Sequence, residues 1–162
     1  MKKKMKKIVG FCLVITLLLG ISIPAYAETT PPELGKTVDG STLIDEDFSE
    51  ITFYNYARGN ILNRGVAKVT KVDSNTVNAY GAVIGAVACD TMELTIVLQR
   101  YNGSSWTNVA SKTYSASNVG FFTKSFNTTV TSGYYYRVKA ACVAKDGGTV
   151  ESQIPITDGI WV

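Results

Sequence analysis

No histidine occurs anywhere in the 162 residues. Its absence excludes a Ser/His/Asp triad, a Cys/His dyad and any imidazole-bound metal. Cysteine is scarce, with three residues, and proline with four. Motifs for nucleotide, phosphate and zinc chemistry are missing, as there is no glycine-rich phosphate loop and no paired Cys-x-x-Cys. Charge of one sign is also lacking: 16 Lys and Arg stand against 13 Asp and Glu. These gaps leave carboxylates as the only familiar acid/base groups near neutral pH, and no cofactor is implied.

The small positive excess has a local origin. Residues 1–27 hold five lysines, an apolar stretch from Ile8 to Ile23, then Pro24 and the triplet Ala25-Tyr26-Ala27. This is the pattern of a secretory signal peptide, with cleavage expected after Ala27. Cys12 lies early in the apolar stretch and would leave with it. Removing five lysines and no acid leaves 11 basic against 13 acidic side chains, a balance of −2. No basic stripe survives to suggest nucleic acid, and no membrane span is expected after cleavage. The expected location is secreted or cell-surface.

Beyond residue 27 the chain has 15 Val, 8 Ile and 17 Thr against 5 Leu and one Met. Side chains branched at Cβ lose rotamer freedom in a helix and pack well on a pleated surface, so sheet is expected throughout. Residues 28–47 are polar and turn-rich and read as a flexible leader. Seven strand-like runs follow: Val66–Val72, Thr76–Ala88, Met92–Tyr101, Trp106–Ser115, Val119–Val130, Tyr134–Lys145 and Thr149–Ile154. Turn signals such as Cys89-Asp90, Asn102-Gly103 and Asp146-Gly147-Gly148 separate them. The expected fold over 48–162 is an all-β antiparallel β-sandwich, immunoglobulin-like or fibronectin-like, of about seven strands. Alternation places Tyr134, Tyr136, Val138, Ala140, Cys142 and Ala144 on one face, and sends Tyr135, Arg137, Lys139 and Lys145 to the other.

Candidate site residues are few. Cys89 and Cys142 are an even pair in an exported chain, which suggests a disulfide. Asp45, Asp47 and Glu50 form a carboxylate cluster that reads as a solvated charge run; its alternatives are a cation site or the acid/base pair of a glycosidase. Tyr101, Trp106 and Tyr135 are candidate binding aromatics, since rings with polar tips stack on sugars and anchor interfaces. A buried role for Trp106 in a sandwich core is the competing reading.

Four segments together carry a resemblance: Asp45-Glu46-Asp47-Phe48-Ser49, Leu98-Gln99-Arg100-Tyr101-Asn102-Gly103-Ser104-Ser105-Trp106, Gly133-Tyr134-Tyr135-Tyr136-Arg137-Val138 and Thr157-Asp158-Gly159-Ile160. They resemble a family of small secreted proteins of unknown function from Gram-positive anaerobic bacteria. The resemblance implies secretion and a β fold and supplies no activity. The expected function is a non-catalytic binding module, extracellular or associated with the cell wall, that contacts a glycan or a protein. A structural or self-associating surface protein is the alternative, followed by a carboxylate-based glycosidase.

Overall fold

The computed structural model describes residues 33–56 and 61–162. The signal-peptide pattern and Cys12 lie outside the described residues. Among the described residues nine strands form one sheet: β1 (Thr37–Val38), β2 (Ser41–Ile44), β3 (Phe48–Tyr54), β4 (Leu62–Asp73), β5 (Thr76–Tyr101), β6 (Trp106–Thr129), β7 (Tyr135–Asp146), β8 (Thr149–Gln153) and β9 (Gly159–Trp161). The strand path runs β1-β2-β9-β7-β5-β4-β3, with β6 beside β5 and β8 beside β7. Every pairing is antiparallel except β2 with β9, which is parallel. The sheet is therefore mixed, and it curls into a half-barrel instead of splitting into the two separate antiparallel layers of the expected sandwich.

The curl originates in β5. Its first half pairs with β4 and its second half with β7, while β6 follows it along both halves. Ile84 faces Phe121 and Cys89 faces Val119, so residues 85–88 stand opposite the single residue Gly120. Three extra residues on one strand make a bulge, and an odd number reverses which side chains face inward. Val77, Ala79 and Val83 are buried before the bulge, and Met92, Leu94, Ile96 and Leu98 after it. Asn118, with φ of 56°, helps β6 through the same corner. Cys89-Asp90, expected as a turn, is thus strand, and the four central runs fuse into one long hairpin.

The two halves of β5 then pack on each other. A Cβ at Gly81 would lie 2.9 Å from Leu94 Cδ1 and 3.2 Å from Ile96 Cγ1, and one at Gly65 would lie 3.0 Å from Cys142 Sγ. Only glycine lets the layers approach this closely. The core also takes Ala67 and Val69 from β4, Phe122 and Phe126 from β6, and Val138, Ala140, Cys142 and Ala144 from β7.

Two further expectations are corrected. The leader is not flexible from residue 33 onward, because β1 and β2 lie within it and Leu43 is fully buried. Cys89 and Cys142 are both buried free thiols. Cys142 sits opposite Leu94, five residues along β5 from Cys89. At about 3.4 Å per residue their Cα atoms lie roughly 17 Å apart, far outside the limit of about 7 Å for a disulfide.

Candidate functional site

The aromatics expected to bind a ligand form a second, small core instead. Tyr101, Tyr135 and Leu43 are buried together, with Val38, Trp106 and Trp161 packed against them. Tyr135 is 2% exposed, contrary to the expectation that it points outward. Its ring meets Trp161 edge-on at 4.9 Å, and Tyr101 lies 5.3 Å from Trp106. The lid is the β1–β2 hairpin. Arg137, also 2% exposed, secures it: Nη1 donates to Ser41 Oγ at 2.8 Å, Nη2 to Asp39 Oδ2 at 2.9 Å and Nε to Gln99 Oε1 at 2.9 Å. The guanidinium lies 4.3 Å from the Trp106 ring centre. A Cβ on Gly159 would come within 2.6 Å of Trp106 Cη2, so the indole is wedged under β9. Alternation failed at Tyr135 and Arg137 because it counts faces within one sheet and cannot see a hairpin folded over the outer one.

The acidic cluster is not brought to one point. Asp45 and Asp47 are exposed between β2 and β3, whereas Glu50 lies on β3 and pairs with Lys68 Nζ at 3.2 Å. Among the described residues no group of three or more His, Cys, Asp or Glu side chains is placed to hold a metal ion.

A different surface emerges from the strand register. On the outer face of β3, β4 and the first half of β5 with the last part of β6, side chains fall into four rows across the strands. The rows are Phe48-Thr70-Asn78-Asn127, Glu50-Lys68-Tyr80-Ser125, Thr52-Val66-Ala82-Thr123 and Tyr54-Arg64-Ile84-Phe121. The third row is short or small in every position. It forms the floor of a trough of about 650 Å³, walled by Tyr54, Arg64 and Phe121 on one side and by Glu50, Lys68 and Tyr80 on the other. Phe121 is 59% exposed and Tyr54 48%.

Charged and polar groups accompany the rings. Arg64 lies 5.7 Å from the Tyr54 ring centre, and Lys68 lies 5.1 Å from that of Phe48. Asn78 Nδ2 donates to Asn127 Oδ1 at 2.6 Å, which fixes both amides on the surface. Such a face offers apolar ring surface, amide donors and acceptors, and both signs of charge.

Matched against known families, residues 31–159 fit the model of a family of unknown function, DUF6147. The chain belongs to this DUF6147 family. No curated protein sequence matches it. Among solved structures, that of Spo0M, a sporulation control protein from Bacillus subtilis, is similar over 72% of this chain and 50% of its own, at 10% identity and a TM-score of 0.32. This chain thus spans half the length of that protein.

The trough residues of this DUF6147 member were not singled out from its sequence as a set, although one signal was present. Tyr54, Tyr80 and Phe121 each lie at alternating positions in strands, but only the register across four strands reveals that they border one trough.

Proposed function

We propose that the protein is a non-catalytic binding module, secreted or held at the cell wall, that takes a glycan chain across the outer face of β3, β4, β5 and β6. The observation that carries this reading is the four-row face itself, with exposed Tyr54 and Phe121 bordering a floor of Val66 and Ala82. A sugar ring presents an apolar C–H face and a rim of hydroxyls. Exposed rings beside amides and a Lys/Glu pair suit both parts. Secretion is supported by the N-terminal pattern of lysines, apolar stretch and Ala-x-Ala.

An immunoglobulin-like or fibronectin-like ancestry for the half-barrel has one supporting detail. Tyr136, near the start of β7, donates its hydroxyl to the Thr131 carbonyl five residues upstream at 2.6 Å, as a corner tyrosine does in such folds.

The test is a glycan array followed by calorimetric titration of the best ligand. Tyr54→Ala and Phe121→Ala are expected to weaken binding about tenfold or more each, with melting temperature nearly unchanged because both side chains are exposed. Absence of any glycan ligand, or full affinity in the double variant, would overturn the reading. Self-association remains the second reading, and it rests on β6, which pairs only with β5 and leaves a 24-residue edge open among the described residues.

A further inference from the structure

A second cavity lies at the end of the half-barrel and shares no residue with the trough. It has a volume of about 320 Å³ and is lined by Arg100, Val109, Thr128, Thr129, Thr131 and Tyr136, among others. Arg100 is the last member of the inward series Met92, Leu94, Ile96 and Leu98, so strand periodicity delivers a guanidinium to the end of an apolar interior.

That guanidinium is held but not neutralised. The Tyr134 ring centre lies 4.6 Å from Arg100 Cζ. Arg100 also lies close enough to Tyr136 to oppose the upward shift that burial imposes on the Tyr136 hydroxyl. Its Nε is buried and has no hydrogen-bond partner. The ion pairs among the described residues use Lys36, Lys68, Arg137 and Lys145, never Arg100. Among the described residues no Asp or Glu lines the cavity. A buried donor of a charged group is costly when unmade: the Arg100 fork reaches the Tyr136 hydroxyl, but its Nε has no acceptor and no carboxylate of the protein balances its charge. Arg137, by contrast, has an acceptor on each of its three nitrogens.

We infer that this cavity binds a ligand carboxylate, and that the ligand is a single sugar-acid unit. A carboxylate accepts two parallel bonds from a guanidinium, and Arg100 is the cation that lines this cavity without a carboxylate of the protein paired to it. Thr128, Thr129 and Thr131 supply hydroxyls for the remainder of the ligand. The volume lies near the lower end of ligand pockets, about 300–1,000 Å³, and admits one ring but not a chain. The site is independent of the trough, so either can fail without the other.

The experiment is an NMR titration of the ¹⁵N-labelled protein with glucuronate, with glucose and inorganic sulfate in parallel. Glucuronate is expected to give saturable shifts at the amides of Thr128, Thr129, Thr131 and Tyr136, glucose none, and sulfate binding at least about tenfold weaker. Arg100→Lys keeps the charge and loses the fork, and should weaken glucuronate about tenfold. Arg100→Gln should abolish binding. If Arg100→Gln does not fold, Val109→Trp closes the cavity from its exposed rim and should abolish binding with Arg100 intact. Tyr54→Ala, on the other face, should leave the titration unchanged. Equal response to glucose, equal affinity for sulfate, or binding that survives Val109→Trp would overturn the assignment.

Discussion

At the scale of single residues, burial decides roles that residue type alone left open. Cys142 looked like half of a disulfide, yet it is a core thiol whose pKa burial pushes up to about 12 from an ordinary 9.0. Its neighbours leave no room: a Cβ at Gly65 would already touch its sulfur. Folding therefore favours the protonated thiol. The unfolded chain ionises this group first as pH rises, so its contribution is complete below about pH 9 and is lost between about 9 and 12. Within that window stability should fall by up to about 1.4 kcal/mol per pH unit from this group. Urea denaturation of wild type and Cys142→Ala at stepped pH checks it, since the difference between the two curves should shrink across the window. A difference that stays constant with pH would refute the burial argument. Ellman's reagent should find no reactive thiol in the native state and both Cys89 and Cys142 after unfolding.

Among elements, the long hairpin was half legible. The inward sets Met92 to Leu98 and Val138 to Ala144 follow from alternation, and the small residues from Ala79 to Ala88 signalled a close approach. The glycines of that run are residues of bends or bulges, but what could not be read was that the strand continues through Gly85 to Tyr101: a Cβ at Gly85 would meet the Val87 carbonyl at 2.5 Å. A turn and a three-residue bulge share the same local chemistry, and only the pairing partner tells them apart. The β1–β2 hairpin was missed for a related reason. Its sequence is polar and rich in turns, and its order comes from Arg137 and Leu43 docking onto a surface built about 100 residues later. Deleting residues through Ile44 should expose Tyr101, Trp106 and Tyr135 to water. The expected result is a loss of roughly 3–5 kcal/mol in chemical denaturation, the share of the fully buried Leu43 being about 2 kcal/mol, together with new binding of a hydrophobic dye. Unchanged stability and no dye binding would show that the hairpin is not a structural lid.

For the whole molecule, the fold class was legible and the architecture only partly so. Abundant Val, Ile and Thr and frequent turn signals dictate sheet, but they do not say whether a sheet splits or curls. The trough was invisible for the same reason, as it depends on the register of four strands separated by up to 79 positions, from Phe48 to Asn127. Among the described residues curling also leaves one long open edge, that of β6. Lys112 and Lys124 lie on it, and their ammonium groups cover Phe126 and Phe122 at 4.9 and 5.7 Å. Charges on an edge discourage pairing with another chain. Wild-type protein should therefore sediment as a monomer, and Lys112→Val with Lys124→Val should shift it toward concentration-dependent oligomers in analytical ultracentrifugation. A wild-type oligomer at micromolar concentration would instead favour the self-associating reading.

The parallel pairing of β2 with β9 has a temporal side. Ser41 donates to the Thr157 carbonyl and the Thr42 amide to Asp158, contacts that span 116 positions of the chain. Contacts of such separation must wait for the largest loop to close, which makes them slow to form. A chain emerging from one end could build its central hairpin early, yet it would keep its aromatic cluster uncovered until Gly159–Trp161 arrived. Residues 159–161 thus complete a cluster that begins at Val38.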